Sequence, residues 1–86
     1  MEEFELAFPL EYSVRVIGVD EDNFEFFVKR VVAQHVPEIA PESFSTKSSR
    51  ESTYLSVYVA FIAESRTQLD ALHEELSADP RVKFVL

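Results

Sequence analysis

The side chains that could do chemistry in this chain are few, and none is set in a recognisable catalytic pattern. His35 and His73 are the only histidines. Neither has a second His or a Cys at ligand spacing, and each falls near the end of a helical pattern. A positive group there is ordinary helix-dipole chemistry. Asp20-Glu21-Asp22 suggests a cation site. An EF-hand loop starting at Asp20 would need glycine at its sixth place and glutamate at its twelfth. Those places hold Glu25 and Val31. Ser48, Ser49, Ser52 and Thr53 offer hydroxyls, but no serine-centred motif or base accompanies them. There is no cysteine, so thiolate metal sites, iron–sulfur clusters and disulfides are all excluded. The reading is of a protein that is not an enzyme, with no catalytic residue, no metal site and no cofactor.

Charge narrows the partners. The net charge is −8, and residues 1–25 hold eight acids against one base, Arg15. A field of this sign repels phosphate backbones and anionic lipid, so neither nucleic acid nor membrane is expected. The start Met1-Glu2-Glu3-Phe4-Glu5 has no basic leader or apolar core. No apolar run approaches the ~20 residues of a membrane span. A cytoplasmic location is the expectation.

These groups must be positioned by a small frame. At 86 residues the chain is one domain, with an acidic lead-in over 1–8 and a single folded unit over 9–86. Its longest apolar run, residues 54–63, is rich in β-branched and aromatic residues and reads as a strand. Leu55, Val57, Val59, Phe61 and Ala63 make one apolar face; Tyr54, Ser56, Tyr58, Ala60 and Ile62 make a mixed one. Leu10 to Gly18 alternates likewise and gives the first strand. It ends at the only glycine, where a positive φ or a close backbone approach is expected. Asp22 and Glu25 suggest a capping box opening a helix over about 22–35, which Pro37 stops. A short polar edge strand follows near Phe44–Lys47, then a glycine-free loop over 48–53. Ser65 and Gln68 cap a second helix over about 66–76. Val82, Phe84 and Leu86 alternate with Lys83 and Val85 in a last strand.

The order β-α-β-β-α-β predicts an α+β ferredoxin-like sandwich. Its four-stranded antiparallel sheet would have order 4-1-3-2, with two helices on one face. The expected core takes Val14, Val16, Leu55, Val57, Val59, Phe61, Val82 and Phe84 from the sheet. From the helices it takes Phe24, Phe27, Val28, Val31, Leu69, Leu72 and Leu76.

Phe8-Pro9, Tyr12 through Gly18 and Val31 through Pro37 are similar in type and spacing to the YbeD-like family of small bacterial proteins. So are Ser48-Ser49, Tyr54 through Val57, Leu72 through Leu76 and Val82 through Leu86. The resemblance runs from about residue 8 to the end. It implies a ferredoxin-like fold close to the ACT regulatory domains, which bind small effectors such as amino acids. It implies no established activity. The loop Arg50-Glu51-Ser52-Thr53 is longer than the family's and lacks its glycine.

Relatives of the fold test the remaining functions. An RNA-recognition module would set Tyr54 and Tyr58 in a basic context with a Lys/Arg-Gly-aromatic signature, which is missing. An acylphosphatase-like loop would be cationic, whereas Val19-Asp20-Glu21-Asp22 repels phosphate. Two readings of a non-catalytic module follow. One is an ACT-like regulator whose effector sits at Gly18, Asp20 and Asp22. The other is a protein-interaction adaptor using the open sheet face or an edge strand, with Arg15, Ile17, Tyr58, Ile62 and Val85 at the interface. The partner is thus a small-molecule effector or another protein, a second copy included.

Overall fold

The computed structural model describes residues 7–86; most of the acidic lead-in expected over 1–8 lies outside them. The elements are β1 (Leu10–Val19), α1 (Phe24–His35), β2 (Phe44–Ser48), β3 (Tyr54–Ala63), α2 (Arg66–Ser77) and β4 (Val82–Val85). The turn Pro41–Ser43 is a short 3-10 helix. All four strands form one antiparallel sheet in the order β2-β3-β1-β4, as the alternating patterns predicted. The two longest strands, β1 and β3, are central, with both edges of each paired.

β1 and β3 pair along ten residues without a break, from Leu10 opposite Ala63 to Val19 opposite Tyr54. That register puts Val14 and Val16 beside Val59 and Val57, on the side the helices cover. Phe24, Val28, Val31 and Val32 from α1, with Leu69, Leu72 and Leu76 from α2, close the core over them. Gln68 ties the helices together. Its backbone N–H donates to Ser65 Oγ (3.1 Å), the N-cap bond expected from the sequence. Its side-chain amide donates to the His35 carbonyl at 2.7 Å, satisfying an orphan acceptor at the end of α1.

Three expectations are corrected. The first helix starts at Phe24, and Asp22 forms no capping box. Asp22 and Asn23 both have positive φ, 54° and 57°, whereas a capping side chain works from an extended residue. Glu25 instead pairs with Lys29 at 2.8 Å. In β4, Phe84 leaves the core and Val85 leaves the open face. Gly18 faces Val82, but Ile17 faces Phe84, so Lys83 is an extra residue and the strand carries a β-bulge. After the bulge the faces are exchanged: Val85 opposes Val16 and packs against the core, while Phe84 lies 60% exposed. Val82 and Phe27, expected in the core, are partly buried against it.

Candidate functional site

The side of the sheet away from the helices is where β1 contributes Ser13, Arg15 and Ile17 and β3 contributes Tyr54, Ser56, Tyr58, Ala60 and Ile62. β2 adds Ser45 opposite Tyr58 and Lys47 opposite Ser56. On the other edge Phe84 stands opposite Ile17, and Leu86 exchanges both backbone hydrogen bonds with Arg15, at 3.0 and 2.8 Å. Of the interface residues expected from the sequence, Arg15, Ile17, Tyr58 and Ile62 are therefore together on this face. Val85 is not, and Phe84 and Leu86 replace it. Among the described residues, Tyr54 (42% exposed), Ile62 (48%), Phe84 (60%) and Leu86 (65%) are four of the six large apolar side chains most open to water.

The face is concave at one end. Ser56 is small, and it lies between Lys47 and Ile17 in a row that Phe84 completes. Tyr54 and Phe84 help wall a hollow of about 530 Å³, to which Ser48 and Ser49 add hydroxyls. Three cations reach it, Arg15, Lys47 and Lys83, and no carboxylate among the described residues lines it. None of the three has an acidic partner within ion-pair distance among the described residues. The Arg15 guanidinium rests 5.4 Å from the centroid of Tyr58, a cation–π contact. The rim at Ser49 is shaped by the β2–β3 loop. The Ser49 N–H donates to the Tyr54 carbonyl at 2.9 Å, the Tyr54 N–H donates to Ser49 Oγ at 3.0 Å, and Ser52 takes the positive φ (61°) that glycine would favour.

The opposite end of the central strands has the opposite sign. A hollow of about 960 Å³ there is lined by Glu11, Glu38 and Glu64, together with Pro37 and Ile62.

Gly18, Asp20 and Asp22, the expected effector residues, are arranged differently. Gly18 is buried, and a Cβ there would collide with the Phe24 ring and approach the Arg81 carbonyl oxygen to 2.8 Å. The glycine is needed for close approach, with no positive φ. The space beside it is thus filled by Phe24. Over that ring lies Arg81, which sequence reading passed over. Its guanidinium sits 5.6 Å from the Phe24 centroid and 4.8 Å from that of Phe27. Nε and Nη2 donate to the two carboxylate oxygens of Asp79, both at 3.0 Å. Nη1 donates to the carbonyls of Glu21 (3.0 Å) and Asp22 (2.8 Å). This clamp fixes the left-handed turn that leads into α1. The Arg81 hydrogen bond holds the Asp79 carboxyl below its ordinary range. Asp79 in turn raises Arg81, with Asp22 and Glu21 adding to it. Asp20 and Asp22 are both exposed, and Asp22 borders a hollow of about 390 Å³. The signal that was available is the Asp79-Pro80-Arg81 spacing, in which the Asp carboxylate also accepts the Arg81 backbone N–H at 2.9 Å.

The histidines have separate surroundings. His35 ends α1 and meets Glu75 of α2 at 2.7 Å, and His73 is exposed on α2. Among the described residues no group of three His, Asp or Glu is placed to hold a metal ion, and no helix is long and apolar enough to cross a membrane.

Comparison with known proteins agrees with this architecture. A UPF0250 protein of Ectopseudomonas mendocina is 37% identical over 82 residues, covering 94% of this chain and 89% of its own. The solution structure of protein HP0495 from H. pylori superposes with a TM-score of 0.76 at 15% identity, covering 99% of this chain and 89% of that one. The ACT domain of the GTP pyrophosphokinase of Chlorobium tepidum gives 0.72 at 12% identity, covering 90% and 95%. At those identities the two structures share the fold alone. The family model described as a protein of unknown function (DUF493) matches residues 3–86, and the chain belongs to that family.

Proposed function

We propose that this protein is a non-catalytic binding module whose working surface is the open face of its sheet, used to hold another protein. One observation carries the reading. Among the described residues, most of the exposed apolar bulk, Tyr54, Ile62, Phe84 and Leu86, is gathered on the face that no helix covers, beside Arg15, which pairs with no described acid. Contiguous patches of this kind mark association sites, and Tyr and Arg are enriched in them. The effector reading at Gly18 has less support, because Phe24 and Arg81 fill the space beside that residue.

The test pairs Tyr58→Glu with Ile62→Glu, two charges placed on the face while the core is left alone. Proteins captured from the source cell by the parent should be lost by the double variant, with both chains folded by circular dichroism. Equal capture by the two would overturn the reading.

A further inference from the structure

The geometry points to a short acidic peptide segment with a bulky apolar side chain at its centre as the occupant of the hollow at Ser56. This deepens the binding-module reading and rests on it. The first ground is charge. In a chain of net charge −8, three of the eight Lys and Arg residues converge on one hollow that no carboxylate among the described residues lines. Unpaired cations on a water-exposed face steer and hold anions.

The second ground is layout. Lys47 stands on one edge strand and Lys83 on the other, three strand spacings apart. Strands lie about 4.8 Å apart and an extended chain advances about 3.4 Å per residue, so four or five residues span the gap. Carboxylates at the two ends of such a segment reach the two lysines. Its centre lies over Ser56 and Ile17, between Tyr54 and Phe84, where an apolar side chain finds both a small-residue floor and aromatic walls. The hydroxyls of Ser48 and Ser49 at the rim supply hydrogen bonds to the backbone of the guest.

The same charges bear on the other occupants. A second copy laid face to face with like ends matched would bring Arg15, Lys47 and Lys83 against their own kind; turned end for end, it would set each hollow against the other copy's Glu11, Glu38 and Glu64, so self-association through this face is the competing outcome of the test. A long polyanion running off the hollow past Val19 would meet Asp20, Glu21 and Asp22.

The probe is an acetylated, amidated pentapeptide with phenylalanine at its centre and two glutamates on each side, titrated into the full chain by amide NMR. Shifts should gather at Lys47, Ser56, Ile17 and Phe84. Lys47→Glu with Lys83→Glu should weaken binding by at least about tenfold, as should raising salt until surface charges are screened. Serine in place of the phenylalanine should also weaken it. Both lysines are exposed, so the variant keeps its fold, which its amide dispersion checks. Three results overturn the proposal: no shifts on this face, self-association that the double variant abolishes, or tighter binding of oligouridylate to the same residues. Equal binding of the peptide with glutamine for glutamate would refute the acidic class while leaving the face a binding surface. Loss of partner capture by the Tyr58 and Ile62 variant is read separately, so the two ideas fail apart.

Discussion

Arg15, midway along β1, and Arg81, just before β4, lie on opposite sides of the sheet, and both rest on aromatic rings. Arg81 has Phe24 and Phe27 beneath it; Arg15 has Tyr58. The difference is in their donors. Arg81 gives Nε, Nη1 and Nη2 to Asp79 and to the carbonyls of Glu21 and Asp22. Arg15 meets no acid among the described residues. One guanidinium is thus part of the frame, and the other is held in place by its ring with donors to offer. A residue type alone does not separate the two roles; the count of engaged donors does.

The comparison breaks most severely at Phe24. It is fully buried and fills the space at Gly18 under the Arg81 clamp. Phe24→Ala should cost about 3–5 kcal/mol in urea unfolding, the usual range for a core Phe. A loss below about 1 kcal/mol would mean that this ring does not support the frame. Arg81→Ala comes next, at about 1–3 kcal/mol, because it strips a bidentate partner from Asp79 and two donors from the turn before α1. Its electrostatic part has a pH signature. The Asp79 carboxyl is held below its ordinary value of 3.8 in the folded chain by the Arg81 hydrogen bond. Its contribution is therefore complete above that value and is lost as pH falls through the lower folded one. The stability gap between the parent and Asp79→Asn should be flat near neutrality and should close on acidification below about pH 4. A gap independent of pH would remove the ion pair from the account. The smallest effect belongs to Arg15→Ala, which should change stability by no more than about 0.5 kcal/mol, as surface changes do. A loss as large as that of Arg81→Ala would erase the distinction between the two arginines.

Much of this frame was legible because it depends on local pattern. The alternation of residues 54–63 and the helical spacing of Phe24, Val28, Val31 and Val32 each follow from which positions share a face. Gly18 was legible as the only glycine, since a close approach needs one. The hollow was not. Arg15, Lys47 and Lys83 are far apart in sequence and meet only through strand pairing. An acidic total charge concealed the local excess of cations. The start of α1 was misread because Asp22 and Asn23 are left-handed, a conformation that a favourable capping pattern does not report. Neither did residue types disclose the role of Arg81, whose partners Glu21 and Asp22 contribute backbone carbonyls rather than side chains.

The bulge at Lys83 has one more consequence. A strand is a text with a two-letter rhythm, and an inserted letter shifts the phase of all that follows. Val82 is read in the phase of Gly18, whereas Phe84, Val85 and Leu86 are read in the other. By that half-step a valine lines the interior and a phenylalanine and a leucine are turned outward. The outer surface owes its aromatic edge to the phase of the strand as much as to its composition.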